Sequence, residues 1–255
     1  MAKQLGMIPR LYAQPLVQGL MGGKSRAGGF AEIIEDTPER LATKLREEEL
    51  HGALLSPLEY ASHYADLRIL PGIGVVSEGE GASIDLVFKE GLRTFTKVAV
   101  DPSCSSEVLL ARLVLAEKYE TTPELVRRGT SLAASLENAD AVLVVDRDMA
   151  TDVAGANRID LIGEWFDIAE LPYVHLFWAL RENAFSASDL TALRDYSLEG
   201  TKSFDPYIDQ IEYLEQFRYD LDDAAVAGFT EFMRMAYYYG MLNDLPDIRF
   251  ASPAQ

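Results

Sequence analysis

The chain has 255 residues, of which 48% are hydrophobic and 25% charged, a mix that belongs to a folded protein of one large or two small domains and excludes a disordered or fibrous one. Acidic residues outnumber basic ones by 41 to 23, a formal net charge of −18, so the overall field repels phosphate backbones and anionic lipid and argues against nucleic acid and membrane as partners. An anionic small molecule has to be held by local donors against that field.

The chain opens on an apolar run, residues 4–8, that predicts a buried strand stopped by Pro9, followed by a short helix over residues 15–20. The Gly22-Gly23 and Gly28-Gly29 pairs bracket a tight or mobile connection, and residues 30–35 predict a second strand. Thr37 caps the next helix with Pro38 in its first position. Residues 52–55 form a short buried strand, and Ser56-Pro57 starts another helix. Apolar runs at 67–70, 74–76, 84–88 and 97–100 predict four further strands before a helix over residues 105–119. A helix over 131–137, a strand over 141–145, a helix near 163–169 and a strand over 173–179 continue the alternation, which points to mostly parallel sheets with helices on their faces. From Ser186 the pattern is helical, capped by Ser186 or Ser188 and ending in a long helix over 222–239, with residues 217–219 as the one short strand. The composition shift near Asn183 suggests a return from a second lobe to the first.

In an open α/β sheet, ligands bind beyond the carboxyl ends of the strands, so the residues just after each strand carry the information. Ser103, Ser105 and Ser106 flank the start of the 105–119 helix, where free backbone N–H groups and the helix dipole favour a carboxylate. The alternative reading has one of them capping the helix while the others face water. Ser56 offers the same two readings, with a plain cap favoured. Cys104, the single cysteine, has no adjacent base and reads as a small packing residue in a protein from a reducing compartment. His51, His63 and His175 match no metal-ligand spacing, so structural or surface roles and no metal are expected. With the first apolar stretch broken by Pro9 and Arg10 and no later run long enough to span a bilayer, a cytoplasmic protein is expected.

Several blocks then occur in a telling order: residues 8–16 (IPRLYAQPL), 54–60 (LLSPLEY), 68–73 (RILPGI), 101–106 (DPSCSS), 162–165 (IGEW) with 171–174 (LPYV) and 177–179 (FWA), and 245–250 (LPDIRF). Together they resemble the chorismate dehydratase family of the futalosine route to menaquinone, a relative of the type 2 periplasmic-binding-protein fold. The resemblance implies an α/β protein with two lobes, mixed sheets flanked by helices, and a ligand cleft between the lobes. Lobe I is expected over residues 1–88 plus 181–255 and lobe II over 89–180. It also implies a lyase that removes water from chorismate to give 3-[(1-carboxyvinyl)oxy]benzoate, with a small-molecule carboxylate as substrate and no cofactor.

Three departures from the family pattern bear on the site. Tyr12 stands where the family has Asn, turning a carboxamide into a bulkier phenol whose ordinary pKa of ~10 makes it a donor. Asp146-Arg147-Asp148 replaces Gly-Asp, and Arg147 either forks a carboxylate or pairs with Asp146. Ser105-Ser106 replaces Arg-Thr. On this reading Tyr12 and Asp146 are the candidate catalytic residues, and Arg10, Ser56, Ser83, Ser103, Ser105, Ser106 and Arg147 the candidate substrate-binding ones. The alternative, raised by Tyr12, is a family member that kept the cleft but binds another carboxylated aromatic without dehydrating it.

Overall fold

The computed structural model describes residues 2–21, 29–79, 81, 83–92, 94–146 and 156–252. The Gly22-Gly23 pair and Gly28, like Arg147 and Asp148, lie outside them. Strand β1 (Lys3–Met7) leads through a 3-10 turn (Leu11–Ala13) into α1 (Gln14–Gln18). Then come β2 (Phe30–Glu35), α2 (Pro38–Arg46), β3 (Gly52–Leu55), α3 (Pro57–His63) and β4 (Leu67–Ser77). The second stretch holds β5 (Ile84–Lys89), β6 (Lys97–Val100), α4 (Ser105–Tyr119), β7 (Glu124–Arg127), α5 (Leu132–Asn138), β8 (Ala141–Val145), β9 (Ala156–Asp160) and α6 (Leu161–Ala169). Strand β10 (Tyr173–Arg181) and helices α7 (Ala187–Ser203), α8 (Ile208–Leu214) and α9 (Asp223–Tyr238) close the fold.

The strands divide into two five-stranded sheets, ordered β2-β1-β3-β10-β4 and β7-β6-β8-β5-β9. Both sheets are mixed rather than mostly parallel. In the first, β1 runs parallel to β2 and β3 while β10 runs antiparallel to β3 and β4. The second repeats that pattern, with β6 parallel to β7 and β8 and β5 antiparallel to β8 and β9. The antiparallel member of each sheet is the strand by which the chain arrives from the other sheet. This moves the expected lobe boundaries. Strand β5 is hydrogen-bonded into the second sheet and β10 into the first, so divisions at 88/89 and 180/181 leave each strand in the wrong lobe. The chain crosses between β4 and β5 and returns between α6 and β10, ahead of the composition shift near Asn183.

The caps read at Thr37 and Ser186 are present, and Ser131, read as the first residue of its helix, caps it instead. Thr37 accepts from the Arg40 N–H, Ser131 from Ala134, and Ser186 forms a reciprocal capping box with Asp189. The runs at 67–70 and 74–76 merge into the single strand β4, because exposed Pro71 and Gly72 (φ +79°) fall where the pairing with β10 slips register. Residues 217–219 form no strand of their own; Arg218 makes an isolated antiparallel bridge to Val76. Near the other end of β4, Ile69 bridges Phe250, so the tail covers both ends of this edge strand.

Helix α4 is apolar on nearly every side, burying Leu109, Leu110, Ala111, Leu113, Val114 and Leu115. Such a helix belongs in an interior. It packs against α6 of its own lobe and against α3 and α9 of the other, joining both lobes into one continuous core. Its N-terminus therefore opens onto the junction between lobes.

Candidate active site

The carboxyl ends of the parallel strands face each other across this junction. From the first lobe come Arg10 and Tyr12 after β1, Thr37 after β2 and Ser56 after β3; from the second come Asp101–Ser106 after β6, Arg127 at the end of β7 and Asp146 after β8. Two polar clusters form there.

In the inner cluster, Arg10 crosses from one lobe to the other. Its Nη1 is 2.9 Å from Asp146 Oδ2 and its Nη2 donates to Cys104 Sγ at 3.1 Å. Asp146, in the left-handed region at φ +57°, also accepts from the Tyr213 hydroxyl, while its N–H donates to the Ser83 carbonyl at 2.8 Å. Burial alone would lower the Arg10 pKa, but the neighbouring Tyr12, Asp146, Glu107 and Cys104 raise it, so the guanidinium stays charged. Arg147, read as forking a carboxylate or pairing with Asp146, lies outside the described residues; among the described ones Arg10 is an ion-pair partner of Asp146.

Tyr12 is 2% exposed. Its ring packs on His175 and Phe217 at centroid distances of 5.3 and 4.9 Å, and burial with the charge of Asp146 pushes its pKa well above the ordinary phenol. His175 Nε2 lies 2.8 Å from Ser77 Oγ, and burial pulls the imidazole down to about 3, so it is neutral. Cys104 is buried with its thiol pushed up to about 11 by burial, which fits the packing role and not a thiolate. Ser83 Oγ is buried and has no hydrogen-bond partner among the described residues.

The outer cluster joins the starts of α3 and α4. Ser106 Oγ accepts from the Leu58 N–H at 2.9 Å and donates to Ser56 Oγ at 3.0 Å. Ser56 and Ser105 then each donate to one oxygen of Glu59. Ser56 makes no side-chain cap bond on α3, contrary to the plain-cap expectation. Ser105 and Ser106, read as open donors for an incoming anion or as solvent-facing, are engaged by the opposite lobe. Ser103 turns back on Asp101 through its N–H and hydroxyl, at 2.9 and 2.7 Å, and Arg128 holds Asp101 at 3.0 Å. Glu59 was not singled out in the sequence, although it stands three residues after Ser56 in a capping-box spacing. Burial, reinforced by the charge of Glu107, raises its carboxyl to about 7 against the pull of Ser105. Glu107 is itself raised by burial, with Arg10 pulling the other way.

Beside this cluster lies a groove of about 690 Å³, walled by α2 and α3 of one lobe and by the 101–105 turn and Arg127 of the other. Glu59, Ser103 and Ser105 line it, as do Arg46 and Arg127. Neither arginine is ion-paired with a described residue, which is notable in so acidic a chain. Among the described residues no three His, Cys, Asp or Glu side chains are grouped as metal ligands, and no helix is long and apolar enough to cross a membrane.

The profile of a protein family described as menaquinone biosynthesis matches residues 3–238. The chain belongs to that family. The chorismate dehydratase of Thermus thermophilus is 26% identical over 238 residues, covering 81% of this chain and 87% of that enzyme. Among solved structures, a structural-genomics protein from Archaeoglobus fulgidus aligns with a TM-score of 0.67 at 19% identity, over 93% of this chain and 97% of its own. The periplasmic aliphatic sulphonate binding protein SsuA of Escherichia coli aligns with a TM-score of 0.65 at 17% identity, over 100% of this chain and 93% of its own. These likenesses establish the periplasmic-binding-protein-like fold, two α/β lobes with a cleft between them. This member of the menaquinone biosynthesis family has its inner cleft filled by Tyr12 and the Arg10–Asp146 pair, and its open space at the outer groove.

Proposed function

We propose that this protein is a dehydratase acting on chorismate, releasing water and 3-[(1-carboxyvinyl)oxy]benzoate within menaquinone biosynthesis in the cytoplasm. The observation that carries this reading is the family match over residues 3–238, seconded by the Thermus thermophilus chorismate dehydratase. The geometry is compatible with it. Chorismate carries two carboxylates, and the groove offers one arginine from each lobe without an ion pair among the described residues, Arg46 and Arg127, with Ser103 and Ser105 lining the same groove. The reaction aromatises the ring by losing a hydroxyl and a ring hydrogen, so the protein has to supply orientation and proton transfer. Within this reading the Arg10–Asp146 pair joins the lobes at the inner cleft beside buried Tyr12, and substrate binds at the outer groove.

Purified protein incubated with chorismate tests the reading by chromatography with mass detection. A product lighter by one water, formed at a rate proportional to protein, is the expected result; intact chorismate would sink it. The burial of Tyr12 favours a second reading, a family member that binds another carboxylated aromatic without dehydrating it. An inactive wild type whose Tyr12→Asn variant acquires turnover is the outcome that reading predicts.

A further inference from the structure

We propose that the apolar pocket between α4, β7 and the first lobe is a second ligand site, which takes an aromatic monocarboxylate with its rings inside the pocket and its carboxylate on Arg112. The site is separate from the substrate groove, and the proposal goes beyond the dehydratase reading without depending on it.

The pocket has a volume of about 410 Å³, within the range of ~300–1,000 Å³ that small-molecule sites occupy. Its walls come from three directions. Ser105, Val108, Leu109 and Arg112 line it from α4, and their spacing makes them a single stripe of that helix, with a hydroxyl at one end and a guanidinium at the other. Leu125 and Arg127 stand two residues apart on β7 and so share one face of the strand. Leu58 from α3 and Met241 from the segment after α9 close the pocket from the first lobe. Leu125 is 37% exposed, an apolar side chain left open on an edge strand beside this cavity.

Charge selects the ligand. The chain carries a net charge of −18, yet no Asp or Glu is among the described residues that line this pocket, and its two charged side chains are both arginines. The local field is therefore opposite to that of the molecule, and it favours an anion. Arg112 is exposed and has no ion pair with a described residue. Arg127 also lines the substrate groove, whereas Arg112 does not, so the carboxylate of this second ligand is assigned to Arg112. A neutral ligand would leave that guanidinium without a partner, and a second negative charge on the ligand would be pressed against the apolar walls. A rigid aromatic body fills a compact pocket at little cost in rotational freedom, and the thioether of Met241 adapts to a ring.

Isothermal titration calorimetry with 2-naphthoate, and with 2-naphthylmethanol as its uncharged analogue, tests the site without any turnover readout. The variants are Arg112→Gln and Arg46→Gln, both at exposed positions, each shown to be folded by circular dichroism. The wild type should bind 2-naphthoate about 10-fold more tightly than the alcohol, the scale of a charge-assisted hydrogen-bonded pair. Arg112→Gln should remove that advantage and leave the affinity for the alcohol unchanged. Arg46→Gln, at a residue that lines the groove and not this pocket, should bind both ligands as the wild type does. A wild type that takes up no 2-naphthoate, or an Arg112→Gln variant that binds it as tightly as the wild type, overturns the proposal. Loss of affinity in Arg46→Gln in place of Arg112→Gln would put the ligand in the substrate groove and equally overturn a second site. A wild type that binds 2-naphthoate through Arg112 but leaves chorismate intact overturns the dehydratase reading and supports this one.

Discussion

Arg10 shows how a single residue can set the state of the cleft. Its guanidinium is buried between two lobes and is matched by Asp146, so removing either partner leaves an uncompensated charge in a poorly solvated place. Asp146→Asn keeps the volume and tolerates the positive φ, which isolates the charge. It should cost about 3–5 kcal/mol in urea unfolding, the usual scale for breaking a buried pair from one side. A loss under about 1 kcal/mol would show that the pair behaves as a solvated one. Glu59 and Arg10 also mark the limit of what the sequence discloses. Arg10 was visible as a residue following the first strand, and Ser105 and Ser106 as the start of a helix. Their partners were not visible, because Glu59 and Asp146 lie in the opposite lobes and no periodicity links them. Tyr12 was read as a bulky group in the cleft; it is buried, and the rings of His175 and Phe217 against it come from strands and loops far away in the chain.

At the scale of elements, local chemistry was legible where it is self-contained. Thr37 and Ser186 cap their helices by contacts within three residues, and β2, β3, β6 and β8 are apolar enough to declare themselves. Strands β7 and β9 are largely exposed and polar at the two edges of the second sheet, so they exist through pairing with β6 and β5 and carry little signal of their own. Helix contacts through glycine were equally silent. Gly19 and Gly200 let α1 and α7 approach backbone to backbone, since a Cβ on Gly19 would lie 2.0 Å from the Tyr196 carbonyl oxygen. Gly228 does the same for α9, where a Cβ would lie 2.0 Å from the Pro172 carbonyl oxygen on the connection that returns the chain to the first sheet. An isolated helical glycine gains up to about 1 kcal/mol on replacement by alanine. Here the sign reverses: Gly228→Ala should destabilise by about 1–3 kcal/mol or more through overpacking, read from the midpoint of urea unfolding. A stabilised variant would show that α9 does not press on that connection.

For the whole molecule, two buried groups give stability opposite pH slopes. His175 has a folded pKa of about 3 against its usual 6.5, so the unfolded chain takes up a proton that the folded one refuses, and stability is lost as pH falls from 6.5 toward 3. Glu59 has a folded pKa of about 7 against 4.5, so its contribution is full below 4.5 and is lost as pH rises through 7. The two oppose each other between about 4.5 and 6.5, which flattens the wild-type profile there. Single variants should separate them. Compared with the wild type, His175→Phe should be better off at pH 5 than at pH 8 by about 2 kcal/mol, and Glu59→Gln should be better off at pH 8 than at pH 5, by urea unfolding at both values. Equal differences at the two pH values would mean that neither group is buried as described.

The lobes are built so that residues from both complete the two polar clusters at the junction, and the family match places the chain in menaquinone biosynthesis. The most direct check is a crystal structure with 3-[(1-carboxyvinyl)oxy]benzoate bound. The account predicts the ligand in the groove between α2, α3 and the 101–105 turn, its carboxylates on Arg46 and Arg127 and its ring beside Glu59, with Arg10 still on Asp146. A ligand seated in the inner cleft in place of the Tyr12 ring, with the Arg10–Asp146 pair broken, would contradict it.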